Sequence, residues 1–498
     1  MTDAAVPAAA APAGRGERLH PLYLLTSLPK VIKGAWGIIA GGAYLAFQDK
    51  LGLALLLLGA FLLFSIGGSL VRWLTFRFQL DDDELRVESG LINRSSRSIP
   101  FDRVTDVDIE QGPLHRLFGL ARVRMETGAS SAAKDSEGVL DTITLDRAEA
   151  IRQIVRAHRS GTALAQADLP QEVAETDSAP LFAMTTSRVL IAGLFNFSLA
   201  IIAALFGASQ TLGDVIGFDP FSRAFWLELV ASTGPLRDYV VQHRFVAALG
   251  GTLVLAAIGI GTGMIRTMLR EHGFRLERTH SGFRRRRGLL TLTDVTIPAR
   301  RVQASLLQTG PVRRRFGWFE LKFQSLASDG GEGSHVVAPL AREYEADAIQ
   351  QSLDRPMSPA PDDWRPVAPG QFRSAATLLA IGIVLSLAAA ALLSPWALLG
   401  SASFAALLVT SWLEHRRSRY ALSGGYLFLD GGWWKQRLAV VPVARIQSMD
   451  IAENSWTRLF RFVRMRFGVA GGSLLSSFAI DALDRADAEA LREQLVAQ

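Results

Sequence analysis

The sequence predicts membrane α-helical hairpins, six spans in three pairs, alternating with three α+β modules of short strands ended by a C-terminal helix. Two observations carry that expectation: the apolar runs come in pairs, and the segment after each pair repeats. Residues 76–125, 274–323 and 419–466 align without a gap through their most informative stretch. In each copy a glycine (Gly90, Gly288, Gly432) stands ten residues before a proline (Pro100, Pro298, Pro442). Three residues past the proline comes an arginine (Arg103, Arg301, Arg445), then a β-branched residue (Val104, Val302, Ile446). An offset held over that length makes the repeat the unit of explanation.

Composition agrees with alternating solvents. The 498 residues are 49% hydrophobic with a mean hydropathy of +0.21, yet 20% are charged, which suits neither a purely soluble enzyme nor a transporter lying wholly in lipid. The absence of cysteine excludes disulfides and thiolate metal sites. Residues 1–14 are rich in Ala and Pro and lack a basic start and an apolar centre, so no secretory signal is expected there.

Residues 51–71 are long enough to cross about 30 Å of hydrocarbon at roughly 1.5 Å per residue. Their partner, residues 34–47, is shorter and must borrow length from 28–31 while Lys30 and Lys33 snorkel. Residues 189–212 and 245–265 form the second pair. Residues 375–413 carry no charge at all, enough for two helices folded at Ser394-Pro395. Buried core helices of a large globular protein are the alternative, but each of these long uncharged stretches is followed by arginines.

The cations orient the hairpins. Lys30 and Lys33 precede the first, and Arg72 and Arg77 follow it; Arg188 precedes the second, and Arg266 and Arg270 follow it; Arg373 precedes the third, and Arg416, Arg417 and Arg419 close it. By the positive-inside tendency both ends of every hairpin, and so all three modules and the termini, face the cytoplasm.

The repeat reads as β-rich. Phe76, Phe78 and Leu80 alternate, Asp81 to Asp83 turn the chain, and Leu85 and Val87 resume the alternation. After Pro100, Thr105, Val107 and Ile109 point one way while Asp106, Asp108 and Glu110 point the other, as in a half-exposed strand. Each copy ends in a helix, at 146–159, 341–353 and 484–496, with Asp146, Glu343 and Asp484 placed to cap it.

About seven short strands closed by one helix is the layout of a pleckstrin-homology-like barrel. Two membrane helices ahead of such a module, with Gly90-Leu91-Ile92 and then Ile99-Pro100-Phe101-Asp102-Arg103-Val104, resemble the bacterial PH-like membrane protein family of the YdbT-like type. Arg18-Leu19-His20-Pro21-Leu22 is similar to that family as well. The third copy departs from it in Trp433-Trp434, where an aliphatic pair is usual, and in Arg461, where the other copies have glycine. The resemblance implies three PH-like β-barrel or sandwich modules and a membrane-anchored, non-enzymatic role in envelope stress or antimicrobial-peptide tolerance. It supplies no catalytic residues.

The expected division is an N-terminal tail (1–27), hairpin one (28–73), module one (74–160), a linker (161–187) and hairpin two (188–268) with an extracytoplasmic loop at 213–243. Module two (269–353), a Pro-rich linker (354–372), hairpin three (373–414) and module three (415–498) complete it. Both linkers are expected to lack packed structure, the second being partly extended.

Charge separates the copies. Residues 274–323 hold twelve basic side chains against three acidic ones, a net of +9, whereas residues 76–126 hold eight against ten. A juxtamembrane cluster of that size draws anionic lipid at about 1 kcal/mol per residue, and guanidinium forks suit phosphate. The candidates for contact with an anionic surface or ligand are Arg284, Arg285, Arg286, Arg287, Arg300, Arg301, Arg313, Arg314 and Arg315. Simple positive-inside anchoring is the plainer reading. The signature set Gly90, Pro100, Arg103, Gly288, Pro298, Arg301, Gly432, Pro442 and Arg445 is expected to be structural. The stretch lacks the aromatic array of a nucleic-acid binder. The eight histidines are scattered without ligand spacing, so neither a metal, a cofactor nor a catalytic centre is expected.

The function that follows is an integral scaffold of the bacterial plasma membrane whose modules bind the anionic inner leaflet, a protein partner or one another. The alternative is a component of a transport or export complex. That reading needs polar side chains at mid-bilayer, and the spans offer only Asn196, Ser198, Gln210 and a few Ser and Thr.

Overall fold

A computed structural model describes residues 16–47, 50–81, 83–91, 94–127, 138–159, 179–197, 225, 227–228, 242–279, 282–325, 334–470 and 478–497. The first unit runs β1 (Glu17–Arg18), α1 (Tyr23–Phe47), α2 (Leu51–Thr75), β2 (Arg77–Leu80), β3 (Glu84–Ser89), β4 (Ser95–Pro100), β5 (Val104–Gln111), α3 (Pro113–Leu117), β6 (Leu120–Thr127), β7 (Val139–Thr144) and α4 (Leu145–Arg159). The second repeats that order as β8 (Phe182–Ala183), α5 (Thr186–Phe195), α6 (Arg244–Glu271), β9 (Arg275–Thr279), β10 (Gly282–Arg287), β11 (Leu292–Pro298), β12 (Val302–Thr309), α7 (Pro311–Arg315), β13 (Phe319–Ser325), β14 (Ser334–Ala341) and α8 (Glu343–Gln351). The third is β15 (Arg365–Pro366), α9 (Gly370–Leu392), α10 (Leu398–Arg417), β16 (Arg419–Ser423), β17 (Tyr426–Gly431), β18 (Gln436–Pro442), β19 (Ile446–Ala452), α11 (Ser455–Leu459), β20 (Val463–Val469), β21 (Phe478–Leu483) and α12 (Arg485–Val496).

Among the described residues four helices are long and apolar enough to cross a membrane: Leu51–Thr75, Ala248–Glu271, Gly370–Leu392 and Pro395–Arg417. Their exposed Leu, Ile and Phe side chains are those of helices whose solvent is lipid. The predicted span 189–212 is helical over Thr186–Phe195, and the rest of it lies outside the described residues. Most of the predicted loop 213–243 lies outside them too.

Within each unit the signature proline ends one strand and opens a single 3-10 turn (Phe101–Arg103, Ala299–Arg301, Val443–Arg445) that breaks the β-run into two sheets. The strand before the hairpin pairs with the first strand after it: β1 with β2, β8 with β9, β15 with β16. Each core fills the space between the sheets and the last helix. In the first it joins Phe78, Phe101, Val123 and Leu140 to Ala148, Ile151 and Val155 of α4. The signature glycine makes the turn between the second and third strands with a positive φ, +99° at Gly90, +120° at Gly288 and +86° at Gly432. A Cβ on Gly288 would lie 1.8 Å from the Thr291 carbonyl oxygen. Gly288→Ala is therefore expected to cost at least about 2 kcal/mol, seen as a lowered thermal midpoint of the detergent-purified chain.

The sheets do not stop at the unit boundaries. β5 pairs antiparallel with β11 (Leu292↔Gln111, Thr293↔Glu110, Asp294↔Ile109), giving a seven-stranded sheet β7-β6-β5-β11-β10-β9-β8. β12 pairs in the same sense with β18 from Ser305↔Val440 to Thr309↔Gln436, giving β14-β13-β12-β18-β17-β16-β15. Three modules thus form one row joined edge to edge.

Three expectations are corrected by the structure. The half-exposed strand of module one is covered: Asp108 is 7% exposed, because β11 of the next module lies along β5. The Pro-rich linker is packed rather than loose. Arg355 is buried and donates to the Val302 carbonyl at 2.6 Å, Trp364 lies edge-on to Phe428, and residues 365–366 form β15. Pro366 costs no ladder bond there because β15 is the outermost strand of its sheet. The cap of α8 comes from Glu345, which accepts from the Arg342 backbone N–H at 2.7 Å, rather than from Glu343, and Asp484 precedes α12 without a capping bond of its side chain.

A candidate anion site beneath the second hairpin

The arginine run of β10 alternates between partners. Arg284 chelates Asp294 with Nε at 3.0 Å and Nη2 at 2.7 Å. Arg285 is fully buried and donates to the Val336 carbonyl, and Arg287 donates to both carboxylate oxygens of Glu271 at 3.0 and 3.1 Å. Arg286, between them on the opposite face of the strand, is exposed. Arg300 lines a cleft at the second junction with Arg278, Arg355 and Arg445. The signature arginines end the 3-10 turns, Arg103 and Arg445 exposed and Arg301 half-buried. On α7, Arg314 reaches Gln436 of module three at 3.2 Å and Arg315 is exposed. Most of the predicted cluster thus braces module two or its junctions, and Arg313 is brought to a different place.

Arg313 lies in a cleft of about 340 Å³ between the end of hairpin two and module two, with Asn196, Arg266, Arg270, Glu320 and Lys322 around it. Its Nη2 donates to Asn196 Oδ1 at 2.6 Å, and Asn196 Nδ2 donates to Thr267 Oγ1 at 3.0 Å, which ties α5, α6 and α7 together. Glu320 is 3.9 Å from Arg313 and 3.5 Å from Lys322. Glu271 is already held by Arg287. Four cations therefore face the cleft with two carboxylates: Glu320, and Glu271, which Arg270 at 3.2 Å shares with Arg287. Burial pulls the Arg313 guanidinium below the ordinary arginine range, and the nearby Glu320 only partly opposes that. A desolvated cation of this kind gains from an anion brought to it.

The other two copies carry their own anion at this point. By strand register Asp141 of β7, Pro339 of β14 and Asp481 of β21 are equivalent. Asp141 is surrounded by Arg122 at 2.9 Å, Arg72 at 3.0 Å and Lys30 at 3.3 Å. Its burial pushes the carboxyl up, and Lys30, Arg122 and Arg72 more than reverse this and hold it below the usual range. Asp481 pairs with Arg464, the counterpart of Arg122, at 3.0 Å. Module two inverts the pair: Glu320 stands where Arg122 and Arg464 stand, and Pro339 where the aspartates stand. Register across the Gly/Ser-rich gap hid this from the sequence, since equivalence there is set by strand pairing and not by a constant offset. Among the described residues no cluster of His, Asp and Glu is able to hold a metal ion.

The short helices α3, α7 and α11 occupy one position in all three units and carry exposed apolar side chains, Leu117 on α3, Val312 with the adjoining Phe316, and Leu459 on α11. α3 packs against α1 and α11 against α9, so these side chains stand beside the hairpins.

The chain is 23% identical over 462 residues to the UPF0699 transmembrane protein YdbT of Bacillus subtilis (strain 168), covering 86% of this chain and 87% of that protein. No solved structure matches it significantly. The family described as Bacterial PH domain matches three segments, residues 23–159, 228–357 and 374–498, each holding membrane helix and strands together. With those three segments spanning most of its length, the chain belongs to the Bacterial PH domain family.

Proposed function

We propose that this protein is a six-span scaffold of the bacterial plasma membrane whose row of modules lies along the inner leaflet and holds an anionic headgroup in the cleft around Arg313. The observation that carries the reading is the charge inversion: module one holds the buried Asp141 among Lys30, Arg72 and Arg122, module three pairs the more exposed Asp481 with Arg464, and module two offers Arg266, Arg270, Arg313 and Lys322 with Pro339 in the aspartate's place. A phosphate oxygen is the natural occupant of such a desolvated guanidinium site. The cytoplasmic side follows from Arg72, Arg266, Arg270, Arg416 and Arg417 at the inner ends of the hairpins. Exposed Leu117, Phe316 and Leu459 reach the headgroup layer and add apolar anchoring. The partners are anionic lipids together with a protein or a further copy of the chain, and nucleic acid is not among them. Asn196, one of the polar side chains a transport pathway would use, is engaged by Arg313 and Thr267 at the mouth of the hairpin, and Ser198 and Gln210 lie outside the described residues.

Phosphatidylglycerol retained by the detergent-purified full chain, read by native mass spectrometry against phosphatidylcholine, tests this. Arg313→Gln with Lys322→Gln is expected to lower phosphatidylglycerol retention about tenfold or more, as loss of charged hydrogen bonds worth about 1.5–3 kcal/mol each requires. Arg315→Gln is expected to leave it unchanged. Equal retention by all three proteins refutes the site.

A further inference from the structure

The row of modules has two open ends that match. β11 and β18 receive the strand of the preceding module, and β4 is the same strand of module one, left at the edge of its sheet. β5 and β12 supply that strand, and β19 is its counterpart in module three, also at an edge. The difference in cover is direct: β12 is buried almost throughout, whereas Gln447, Ser448, Asp450 and Ala452 of β19 and Ser95 to Ser98 of β4 are exposed.

The two existing junctions share one register. Counted from the signature proline, Leu292↔Gln111 and Gln436↔Thr309 are the same pair of repeat positions. Carried to the open ends, that register sets Asp450 opposite Arg97 and Glu453 opposite Arg94, with Ile451 opposite Ser96 between them. Both charge pairs have opposite signs. Arg116 of α3 donates across the first junction to the Leu289 carbonyl at 2.9 Å, and Arg314, its counterpart on α7, crosses the second to Gln436. The third member of that set, Arg458 on α11, sits at the open end with its side chain 73% exposed, where it pairs with Glu453 of its own module at 3.2 Å.

The geometry points to a second copy of this chain as the occupant: β19 of one copy pairs antiparallel with β4 of the next, in the register of the internal junctions, with Asp450 against Arg97. The interface is head to tail, so it propagates as a closed ring or an open row in the plane of the membrane. Each junction already joins a module to one preceded by its own hairpin, and module one has its own hairpin in α1 and α2, so a neighbouring copy is received as module two or three is. This names the self-association within the scaffold reading and rests on it for the common orientation of the modules; the headgroup site is tested separately by lipid retention. Edge strands bearing charge also serve simply to discourage pairing, and that is the opposing outcome.

The full chain, free of natural cysteine, allows a direct test. Chains with Arg97→Cys under one tag and Asp450→Cys under another are co-produced and their membranes oxidised. Mixed-tag disulfide dimers are expected in at least about tenfold excess over same-tag dimers. Separately, Asp450→Arg is expected to reduce intercopy lysine crosslinking about tenfold and Arg97→Asp on the same chain to restore it, because like charges set opposite one another disfavour a wrong partner. Mixed-tag and same-tag dimers in equal yield, or no dimers from chains that still form an internal Glu110→Cys/Thr293→Cys disulfide, overturn the proposal. A chain carrying both Arg97→Cys and Asp450→Cys that closes only upon itself overturns it as well.

Discussion

Replacing Arg287 with alanine is expected to destabilise the second unit by about 3 kcal/mol, the low end of the range for breaking a buried ion pair. Arg287 and Glu271 are 7% and 8% exposed as side chains, and the two bonds at 3.0 and 3.1 Å join the last residue of α6 to β10. Without the guanidinium, Glu271 remains buried with only Arg270 at 3.2 Å, itself half exposed, to offset its charge. That residual partner keeps the loss from the upper end of the range. Glu271→Gln combined with Arg287→Met is expected to recover most of it, since no lone buried charge is then left. Hydrogen exchange of the β10 and β11 amides in the detergent-purified chain measures both, and equal protection in wild type and Arg287→Ala would refute the account.

The larger effect on the row itself is expected at Asp294. Its carboxylate accepts from Arg284 within module two and from Arg152 of α4 in module one at 3.2 Å, and Arg152 is 7% exposed as a side chain. Asp294→Ala strands that guanidinium in the junction, at about 3–5 kcal/mol, and should open the first junction to protease while leaving the second intact. The same group makes the first junction acid-labile. Burial raises the Asp294 carboxyl, and the Arg284 hydrogen bond and the Arg152 charge overcome this, so its folded value lies below the ordinary aspartate value. The stabilisation is then complete above about 3.9, the unfolded aspartate value, and is lost as pH falls through the lower folded value. The second junction has Leu438 at the equivalent position and should not share this loss. Cleavage between the modules at pH 5 and at pH 3, compared between the two junctions, reads the difference.

What the sequence disclosed was whatever repeats locally. The Gly, Pro and Arg at constant offset marked the turn, the strand end and the 3-10 turn that make each module, and the apolar runs marked the hairpins. What it concealed was pairing over long distances. Asp108 and Asp106 gave β5 the polar alternation of a solvent-facing strand, and only the arrival of β11 explains why Asp108 is buried. The arginine run at 284–287 announced a ligand surface by composition alone. Period-two alternation, together with the carboxylates of Asp294 and Glu271, turned most of it inward. Arg313 was legible as a cation, but its setting was not, because Pro339 and Glu320 acquire meaning only when set, by strand register, against Asp141 with Arg122 and Asp481 with Arg464 in the other modules.

The three modules form one continuous row through the β5–β11 and β12–β18 pairings. Two cysteine pairs placed across the junctions, Glu110→Cys with Thr293→Cys and Leu307→Cys with Leu438→Cys, test it in native membranes of an otherwise cysteine-free chain. Oxidation is predicted to close an intramolecular disulfide at each junction in most of the protein, seen as a faster-migrating monomer that reductant reverses. Monomers that stay open at both junctions under the same oxidation, while the purified chain keeps its thermal midpoint, would contradict it.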